Sequence, residues 1–216
     1  MNIVAIQGSP SANSRSASLL TLAQLRLQGV ASRSHLIAVR ELPAQALLHA
    51  QLDEPPIRTA LAEVAQAQVV LIATPIYKAA YSGVLKAFLD LLPPDGLRGK
   101  AVLPLATGGS IAHLLALDYA LKPVLSALGA RDILDPVFAT DAQIAKHDTL
   151  GYVPDDEIVR RVDAALQILI DRAEQLERVE QAARERHELL ARVQPARPAL
   201  PAPNETWPVR DLRWSV

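Results

Sequence analysis

Short apolar runs alternate with amphipathic segments along the first 140 residues of the chain. Four runs stand out, at residues 3–6, 36–39, 69–73 and 101–105. Three of them are continuous rather than alternating in polarity, which is typical of strands that are buried on both faces. The second run is short and ends at the charged Arg40. The pattern predicts four strands, each followed by room for a helix.

The segments between these runs have helical periodicity. Their apolar positions are, in chain order, Leu19, Leu20, Ala23 and Leu27, then Leu61, Val64 and Ala65, then Val84, Leu85, Phe88, Leu91 and Leu92. A further helix is predicted over residues 111–128 and a fifth strand over residues 133–138. Strands that alternate with helices form right-handed crossovers and a parallel sheet with helices on both sides. Five strands in about 140 residues predict an α/β fold, the flavodoxin-like doubly wound sheet with strand order 2-1-3-4-5.

The C-terminal part of the chain has a different pattern. Residues 155–193 are predicted to form one long helix, because Val159, Val162, Leu166, Leu169, Ala173 and Leu176 keep a 3,4 spacing. At about 1.5 Å per residue this helix is longer than the domain is wide. Two outcomes therefore stay open. Either its second half projects or packs on another subunit, or the helix breaks near Arg178.

A Pro-rich segment at residues 194–203 follows the predicted helix and is typical of an extended linker. It leads to Trp207 and Trp214, the two tryptophans of the chain. Aromatic side chains in a solvated tail indicate docking, either on this protein or on a partner. We expect a cofactor-binding domain over residues 1–175 and a helical, Pro-rich extension over residues 176–216.

Composition narrows the possible chemistry. The chain has 216 residues, of which 50% are hydrophobic, and its formal net charge is -1, so nothing indicates a nucleic acid or membrane partner. It has no cysteine, which excludes disulfides, zinc–thiolate sites, iron–sulfur clusters and thiol redox catalysis. Its five histidines have no metal-ligand spacing. The first ten residues lack a signal-peptide pattern and no apolar run is long enough to span a bilayer, so we expect a cytoplasmic protein.

The first candidate motif is GSPSANSRS at residues 8–16, between the first strand and the first helix. A loop there lies in the ligand crevice of a doubly wound sheet and presents free backbone N–H groups at a helix N-terminus. Ser9, Ser14 and Ser16 add hydroxyl donors, and Arg15 adds a cation that can fork onto a phosphate. The spacing is neither that of a P-loop nor that of a GxGxxG loop. The motif predicts a site for a phosphate monoester, with a serine-capped turn as the alternative.

The second candidate motif, residues 74–83, follows the third strand and reads TPIYKAAYSG. Tyr77 or Tyr81 is suited to contact a flat ring, and Lys78 is suited to reach an anion. The alternative is that both tyrosines only pack the loop.

The third candidate motif is Thr107-Gly108-Gly109-Ser110, after the fourth strand. Paired glycines let the backbone approach a ligand closely, although a tight turn explains them equally well. Three loops at one crevice nevertheless describe a single pocket for a phosphate attached to a flat heterocycle. FMN fits this description.

Three segments carry a resemblance to a known family. They are GSPSANSRS, TPIYKAAYSGVLKAFLDLLP and LPLATGGSIAHLLALDYALKPVLSALGA. These resemble the NADPH-dependent FMN reductases of two-component alkanesulfonate monooxygenase systems, over roughly residues 1–140. The resemblance implies a flavodoxin-like fold, a flavin phosphate held by the Ser/Arg loop, and an isoalloxazine ring held by the other two loops. The chain departs from the family after about residue 175.

Matching the motifs position by position implies a set of flavin-binding residues and no catalytic side chain. The phosphate residues are Ser9, Ser14, Arg15 and Ser16; the ring residues are Pro75, Ile76, Tyr77, Lys78, Ser82, Thr107, Gly108 and Gly109.

The resemblance also implies a homodimer or homotetramer. The helix that carries His113, Asp118 and Tyr119 resembles the interface helix of the family, in which some members have a π-bulge near the tyrosine. The pair Lys122-Pro123 predicts a kink in this helix. His113 is a candidate base, although capping or interface packing explains it better.

The reaction that the resemblance implies is hydride transfer from NADPH or NADH to N5 of FMN, with the cofactors performing the chemistry. The reduced flavin then leaves for a partner monooxygenase. Two alternatives stay open. One is an oxidoreductase that keeps FMN bound and reduces quinones, azo dyes or metal oxyanions; the other is a flavin-carrying electron-transfer or regulatory scaffold.

Overall fold

The computed structural model describes residues 1–193, with side chains for residues 1–179 and 181–190. The Pro-rich segment, Trp207 and Trp214 lie outside these residues. The first compact unit of the chain is Met1–Arg178, and a second unit begins at Val179. The division into a flavin-binding domain and an extension after residue 175 stays a prediction, because it concerns function.

The core of the first unit is a parallel sheet. Its strands and their antiparallel additions are β1 (Asn2–Gln7), β2 (Arg33–Ala38), β3 (Val69–Tyr77), β4 (Ala80–Tyr81), β5 (Ala101–Gly108), β6 (Asp132–Ile133) and β7 (Val137–Thr140). The parallel order is β2-β1-β3-β5, with β6 and β7 both paired to β5. When the antiparallel β4 is left out, β5 is the fourth parallel strand of the chain and β6 with β7 is the fifth. The order is therefore 2-1-3-4-5, and the predicted flavodoxin-like fold is confirmed. The edge strand β2 begins at Arg33, three residues before the predicted run. The apolar pattern missed this start because the first three residues of the strand are polar.

The predicted fifth strand is divided in two. β6 pairs with Ala101 and Val102, and β7 begins to pair at Leu105. The Val102 carbonyl accepts from Leu134 at 2.9 Å and so faces this neighbour. Peptide groups two residues apart point to the same side of a strand, so the nitrogen of Pro104 faces the same way and has no hydrogen to donate. The missing donor explains why the pairing stops between β6 and β7.

Helices cover both faces of the sheet. They are α1 (Arg15–Arg26), α2 (Ala44–Leu48), α3 (Pro55–Gln66), α4 (Gly83–Leu89), α5 (Lys122–Ala127) and α6 (Asp156–Val193). Alternate residues of β1 belong to different core clusters: Ile6 packs with Val64 of α3 and Phe88 of α4, whereas Ile3 packs with residues of α1 and α6. The continuous apolar runs thus reflect strands that are buried on both faces.

The single helix predicted over residues 111–128 is wrong in its interior. The segment forms a 3₁₀ turn (Ile111–Leu114), a π-helical turn (Leu117–Leu121) and then α5. Pro123 lies in the first turn of α5, where its missing N–H is not needed. Tyr119 lies in the π turn. The apolar periodicity could not distinguish these three geometries, because each keeps neighbouring turns on one face.

The long helix is present as one element. α6 runs unbroken through Arg178 to Val193, so the alternative of a break near Arg178 is wrong. Within the first unit its buried residues are Ile158, Val162, Leu166, Leu169 and Ala173. The apolar face begins at Ile158 rather than at Val159, which is only half-buried.

A two-stranded antiparallel hairpin precedes α6 and was not predicted. Its strands are β8 (Ile144–His147) and β9 (Gly151–Pro154). None of the helices within residues 1–193 is both long and apolar enough to cross a membrane.

Candidate functional site

A cavity of about 290 Å³ opens at the carboxyl edge of the sheet. The register of the sheet places the ends of β3, β5 and β7 side by side at this edge. Pro75 of β3 is opposite Thr107 of β5, and Gly108 of β5 is opposite Thr140 of β7. The cavity is lined by Ser11, Asn13, Ser14, Arg15, Pro75, Ile76, Tyr77, Thr107, Gly108, Gly109, Asp141 and Tyr152. All three sequence motifs therefore contribute to one cavity.

The first motif ends in a capped helix. Ser14 is the N-cap of α1, and its hydroxyl oxygen accepts a hydrogen bond from the Ala17 N–H at 3.2 Å. Ser9 and Ser16 are fully buried and are not among the cavity-lining residues. The Ser9 hydroxyl oxygen accepts from the Ser11 N–H at 3.1 Å, which shapes the loop. The N-terminal N–H groups and the positive end of the dipole of α1 thus lie beside the cavity.

The second motif forms a two-residue hairpin between β3 and β4. Lys78 and Ala79 both have positive φ, 51° and 61°, as a type I′ turn requires. Neither is a glycine, so the turn stores strain, and such strain is concentrated at functional sites. Tyr77, 51% exposed, lines the cavity, whereas Tyr81 is buried. Lys78 is exposed and is not among the lining residues.

A group of buried polar atoms joins the first two motifs; we call Gly8, Thr74 and Ser82 the buried network. The Ser82 hydroxyl donates to the Gly8 carbonyl and accepts from the Leu85 N–H at 3.1 Å, which caps α4. The Ser82 N–H donates to the Thr74 hydroxyl oxygen at 3.1 Å. Ser82 is therefore placed to fix the loops and does not line the cavity.

The third motif leaves open space at one side of the cavity. A Cβ at Gly109 would meet no atom within 4 Å, so space is free beside this residue. A Cβ at Gly108 would lie 2.9 Å from His113 Nδ1. This Nδ1 atom is buried and has no hydrogen-bond partner among residues 1–193. His113 thus packs against the glycine loop and is not among the residues that line the cavity.

The charged side of the cavity has two residues that sequence reasoning missed; we call Arg15, Asp141 and Tyr152 the arginine cluster. The Arg15 Nη1 lies 3.5 Å from an Asp141 carboxylate oxygen, and the Arg15 guanidinium stacks 4.8 Å from the centre of the Tyr152 ring. The Arg15 Nε donates to the Ile144 carbonyl at 3.1 Å.

A signal for Asp141 exists in the sequence. The Thr140 and Gln143 side chains form a capping box around the 3₁₀ turn Asp141–Gln143, a pattern that marks a helix start after a strand. Tyr152 had no comparable signal, because its position depends on the β8–β9 hairpin.

The arrangement fits a phosphate monoester attached to a flat ring. Arg15, Ser14 and the N-terminus of α1 present hydrogen-bond donors of the kind that a phosphate accepts from, and the space beside Gly109 is free of other atoms. Eight of the twelve predicted binding residues line the cavity, and Ser9, Ser16, Lys78 and Ser82 do not. Within residues 1–193 no group of three or more metal-ligating side chains occurs.

Comparisons with known proteins agree with this geometry. A family model described as NADPH-dependent FMN reductase matches residues 1–144. The chain is 47% identical over 168 residues to FMN reductase (NADPH) of Escherichia coli strain K12, which covers 77% of this chain and 87% of that protein. It is 52% identical over 145 residues to FMN reductase (NADPH) of Pseudomonas putida, which covers 67% and 74%. Among solved structures, the apo form of NADH:FMN oxidoreductase (EMOB) has a TM-score of 0.70 at 41% identity and covers 78% of this chain and 87% of its own.

Proposed function

The chain belongs to the NADPH-dependent FMN reductase family, and we propose that it reduces FMN as a diffusible substrate for a partner monooxygenase. The observation that carries this proposal is the single cavity that the three motifs form at the carboxyl edge of the sheet. Family membership supports the activity, and the chemistry of the cavity supports a flavin phosphate as the group that is bound.

The cavity residues would divide the work of binding. Ser14, Arg15 and the N-terminus of α1 would hold the phosphate, and Pro75–Tyr77 together with Thr107–Gly109 would flank the ring. FMN and NADPH would supply the redox chemistry themselves, since transfer of one hydride with uptake of one solvent proton would convert FMN to FMNH2 and NADPH to NADP⁺. Hydride transfer between the two cofactors needs no general acid or base from the protein. The protein's contribution is to bind and orient.

Steady-state turnover under anaerobic conditions tests this proposal. Purified protein is mixed with NADPH and a large molar excess of free FMN, and both NADPH oxidation and flavin bleaching are followed. We expect many turnovers per enzyme with reduced flavin accumulating in solution. A single turnover that stalls until a quinone or dye is added would instead establish a bound-flavin oxidoreductase. No oxidation at all would establish a carrier or scaffold.

The preferred nucleotide is proposed to be NADPH, in line with the names of the relatives at 47% and 52% identity. Among the described residues, Arg15 is the one cation that lines the cavity, and because Asp141 and Ile144 already engage it, it is not dedicated to a 2′-phosphate. The ratio of kcat/KM for NADPH over NADH decides this point. A ratio near or below one would overturn the preference and leave the flavin chemistry intact.

The partner is proposed to be an alkanesulfonate-type monooxygenase, and the protein itself is proposed to be a homodimer or homotetramer. The surface beside the glycine loop supports self-association, because Ile111, Leu115 and Tyr119 are 67%, 58% and 80% exposed. Apolar side chains grouped on one segment are typical of an interface. Light scattering coupled to size-exclusion chromatography measures the assembly, and product formation by a sulfonate monooxygenase fed only by this reductase measures the partnership.

A further inference from the structure

Arg15 and Asp141 are the two charged side chains that line the cavity within the described residues, and they are of opposite sign. The Asp141 carboxylate lies 3.5 Å from the Arg15 Nη1, with side-chain exposures of 50% and 30%. The negative charge of Asp141 therefore already offsets the positive charge of Arg15 before a phosphate binds there. A carboxylate near a phosphate dianion repels it.

The backbone at Asp141 is held in place by its neighbours. This residue is the first residue of the 3₁₀ turn that follows β7, and the Gln143 side-chain oxygen accepts from both the Thr140 N–H and the Thr140 hydroxyl, at 3.0 and 3.1 Å. Thr140 itself is paired in register with Gly108. The backbone that carries the carboxylate is thus fixed by the sheet at the edge of the cavity, and the carboxylate itself contacts Arg15.

Arg15 does not depend on Asp141 for its orientation. Its Nε donates to the Ile144 carbonyl at 3.1 Å, and its guanidinium stacks on Tyr152. Two contacts with the β8–β9 hairpin therefore position the cation without the carboxylate. An Asp141 that merely oriented Arg15 would duplicate contacts that already exist.

We propose that Asp141 is an affinity-lowering residue, which opposes the flavin phosphate at Arg15 and so favours release of the flavin. This inference deepens the proposed function and rests on it, because an enzyme whose reduced product must leave needs a phosphate site of limited strength. Removing the carboxylate acts twice in one direction, since it abolishes the repulsion and frees the Arg15 Nη1 for the phosphate.

The test is equilibrium binding of oxidised flavins without any NADPH. Dissociation constants for FMN and for riboflavin, which lacks the phosphate, are measured by quenching of flavin fluorescence for the wild type and for Asp141→Asn. We expect FMN to bind about three- to tenfold more tightly at low salt, with the gain shrinking as salt is added. Riboflavin binding is expected to stay unchanged. Product release is expected to slow in the same variant, as read from transfer of reduced flavin to an excess of acceptor.

Three variants control the experiment. Asp163→Asn makes the same charge change in the matched Arg26–Asp163 pair, which joins the other end of α1 to α6, and should leave both dissociation constants unchanged. Asp141→Glu keeps the charge and should not tighten FMN binding. Asp141→Ser removes the charge with a different side chain and replaces the asparagine variant if that variant folds poorly.

The outcomes separate cleanly. Unchanged or weaker FMN binding in Asp141→Asn would overturn the proposal and make Asp141 a positioning residue for Arg15. Equal tightening of FMN and riboflavin would also overturn it, because the effect would then come from cavity shape. Failure of the wild type to turn over free FMN would overturn the proposed function alone, since the binding comparison uses no NADPH.

Discussion

The buried network joins the first two loop motifs, the arginine cluster lines the cavity, and the two groups are built in opposite ways. In the buried network, Thr74 and Ser82 are at most 1% exposed and bond mainly to backbone of neighbouring loops. In the arginine cluster, the Arg15 and Asp141 side chains are 30% and 50% exposed and their contact is an ion pair. Buried hydrogen bonds are costly to break, whereas exposed ion pairs add little stability. The first group therefore determines where the loops lie, and in the proposed function the second would determine how strongly the cavity binds the flavin phosphate.

The largest expected effect is a loss of FMN affinity on removal of the Arg15 side chain, without a matching loss of stability. Arg15→Ala should weaken FMN binding by about 1.5–3 kcal/mol, roughly ten- to 150-fold, because a charge-assisted contact to the phosphate is lost. Thermal stability should change little, since the Arg15–Asp141 pair is partly exposed. Calorimetric titration and thermal melts measure the two quantities. Arg26→Ala, at the other end of α1, is the matched control and should keep wild-type affinity; an equal loss there would show that the helix, not the cation, matters.

The next largest effect is a loss of stability, expected when the buried network is changed at Gly8. A Cβ at Gly8 would lie 2.7 Å from the Leu85 Cβ and 3.2 Å from the Ala73 carbonyl oxygen. Gly8→Ala should therefore lower the free energy of unfolding by about 1–3 kcal/mol, as overpacked cores do. Urea unfolding measures it. Gly83→Ala, whose Cβ would meet no atom within 4 Å, should be neutral or stabilising, and similar losses in both variants would contradict the steric explanation.

A smaller gain is expected in the strained turn beside the buried network. Ala79 has a φ of 61°, so Ala79→Gly should raise the free energy of unfolding by about 0.5–1 kcal/mol. The same substitution at Ala87, inside α4, should lower it by a similar amount, because glycine is a poor helix former. Opposite signs in denaturant melts support relief of backbone strain. If both variants are destabilised, the turn is not strained.

The smallest effect concerns pH. Burial raises the pKa of the Tyr81 phenol, and the negative charge of Asp90 raises it further. Above pH 10 the unfolded chain loses this proton while the folded chain keeps it, so the free energy of unfolding falls as pH rises from about 10. Tyr81→Phe should flatten that alkaline decline in melts recorded between about pH 9 and 11. Tyr77→Phe, at an exposed tyrosine, serves for comparison; a slope that Tyr81→Phe leaves unaltered would exclude this assignment.

The sheet could be predicted because its signal is local and strong. Strands that are buried on both faces must be apolar throughout, so the runs that became β1, β3 and β5 were visible directly. The three loops were visible for the same reason, since each one follows such a run. The edge strand β2 was located only at its apolar end, because an exposed edge tolerates residues such as Arg33.

The arginine cluster could not be predicted in full because it depends on distant segments. Arg15 belongs to a recognisable loop, but its partners Asp141 and Tyr152 are more than 120 residues away in the sequence. The hairpin that carries Tyr152 has two strands of only four residues, IAKH and GYVP, in which polar and apolar residues do not alternate. The 3₁₀ and π-helical turns within residues 111–121 could not be predicted for another reason. Apolar spacing indicates which residues face the core but not which type of helix the backbone forms.

The interruption of the sheet at Pro104 has a consequence for self-association. β6 and β7 form one margin of the sheet, and they contain only two and four residues. A long, straight margin strand offers a row of unpaired backbone groups on which another molecule can add a strand, the first step of β-aggregation. Two short segments separated by an irregular stretch cannot provide such a template. Pro104 of β5 therefore also protects this margin of the sheet, because it leaves no continuous strand there for a neighbour to extend.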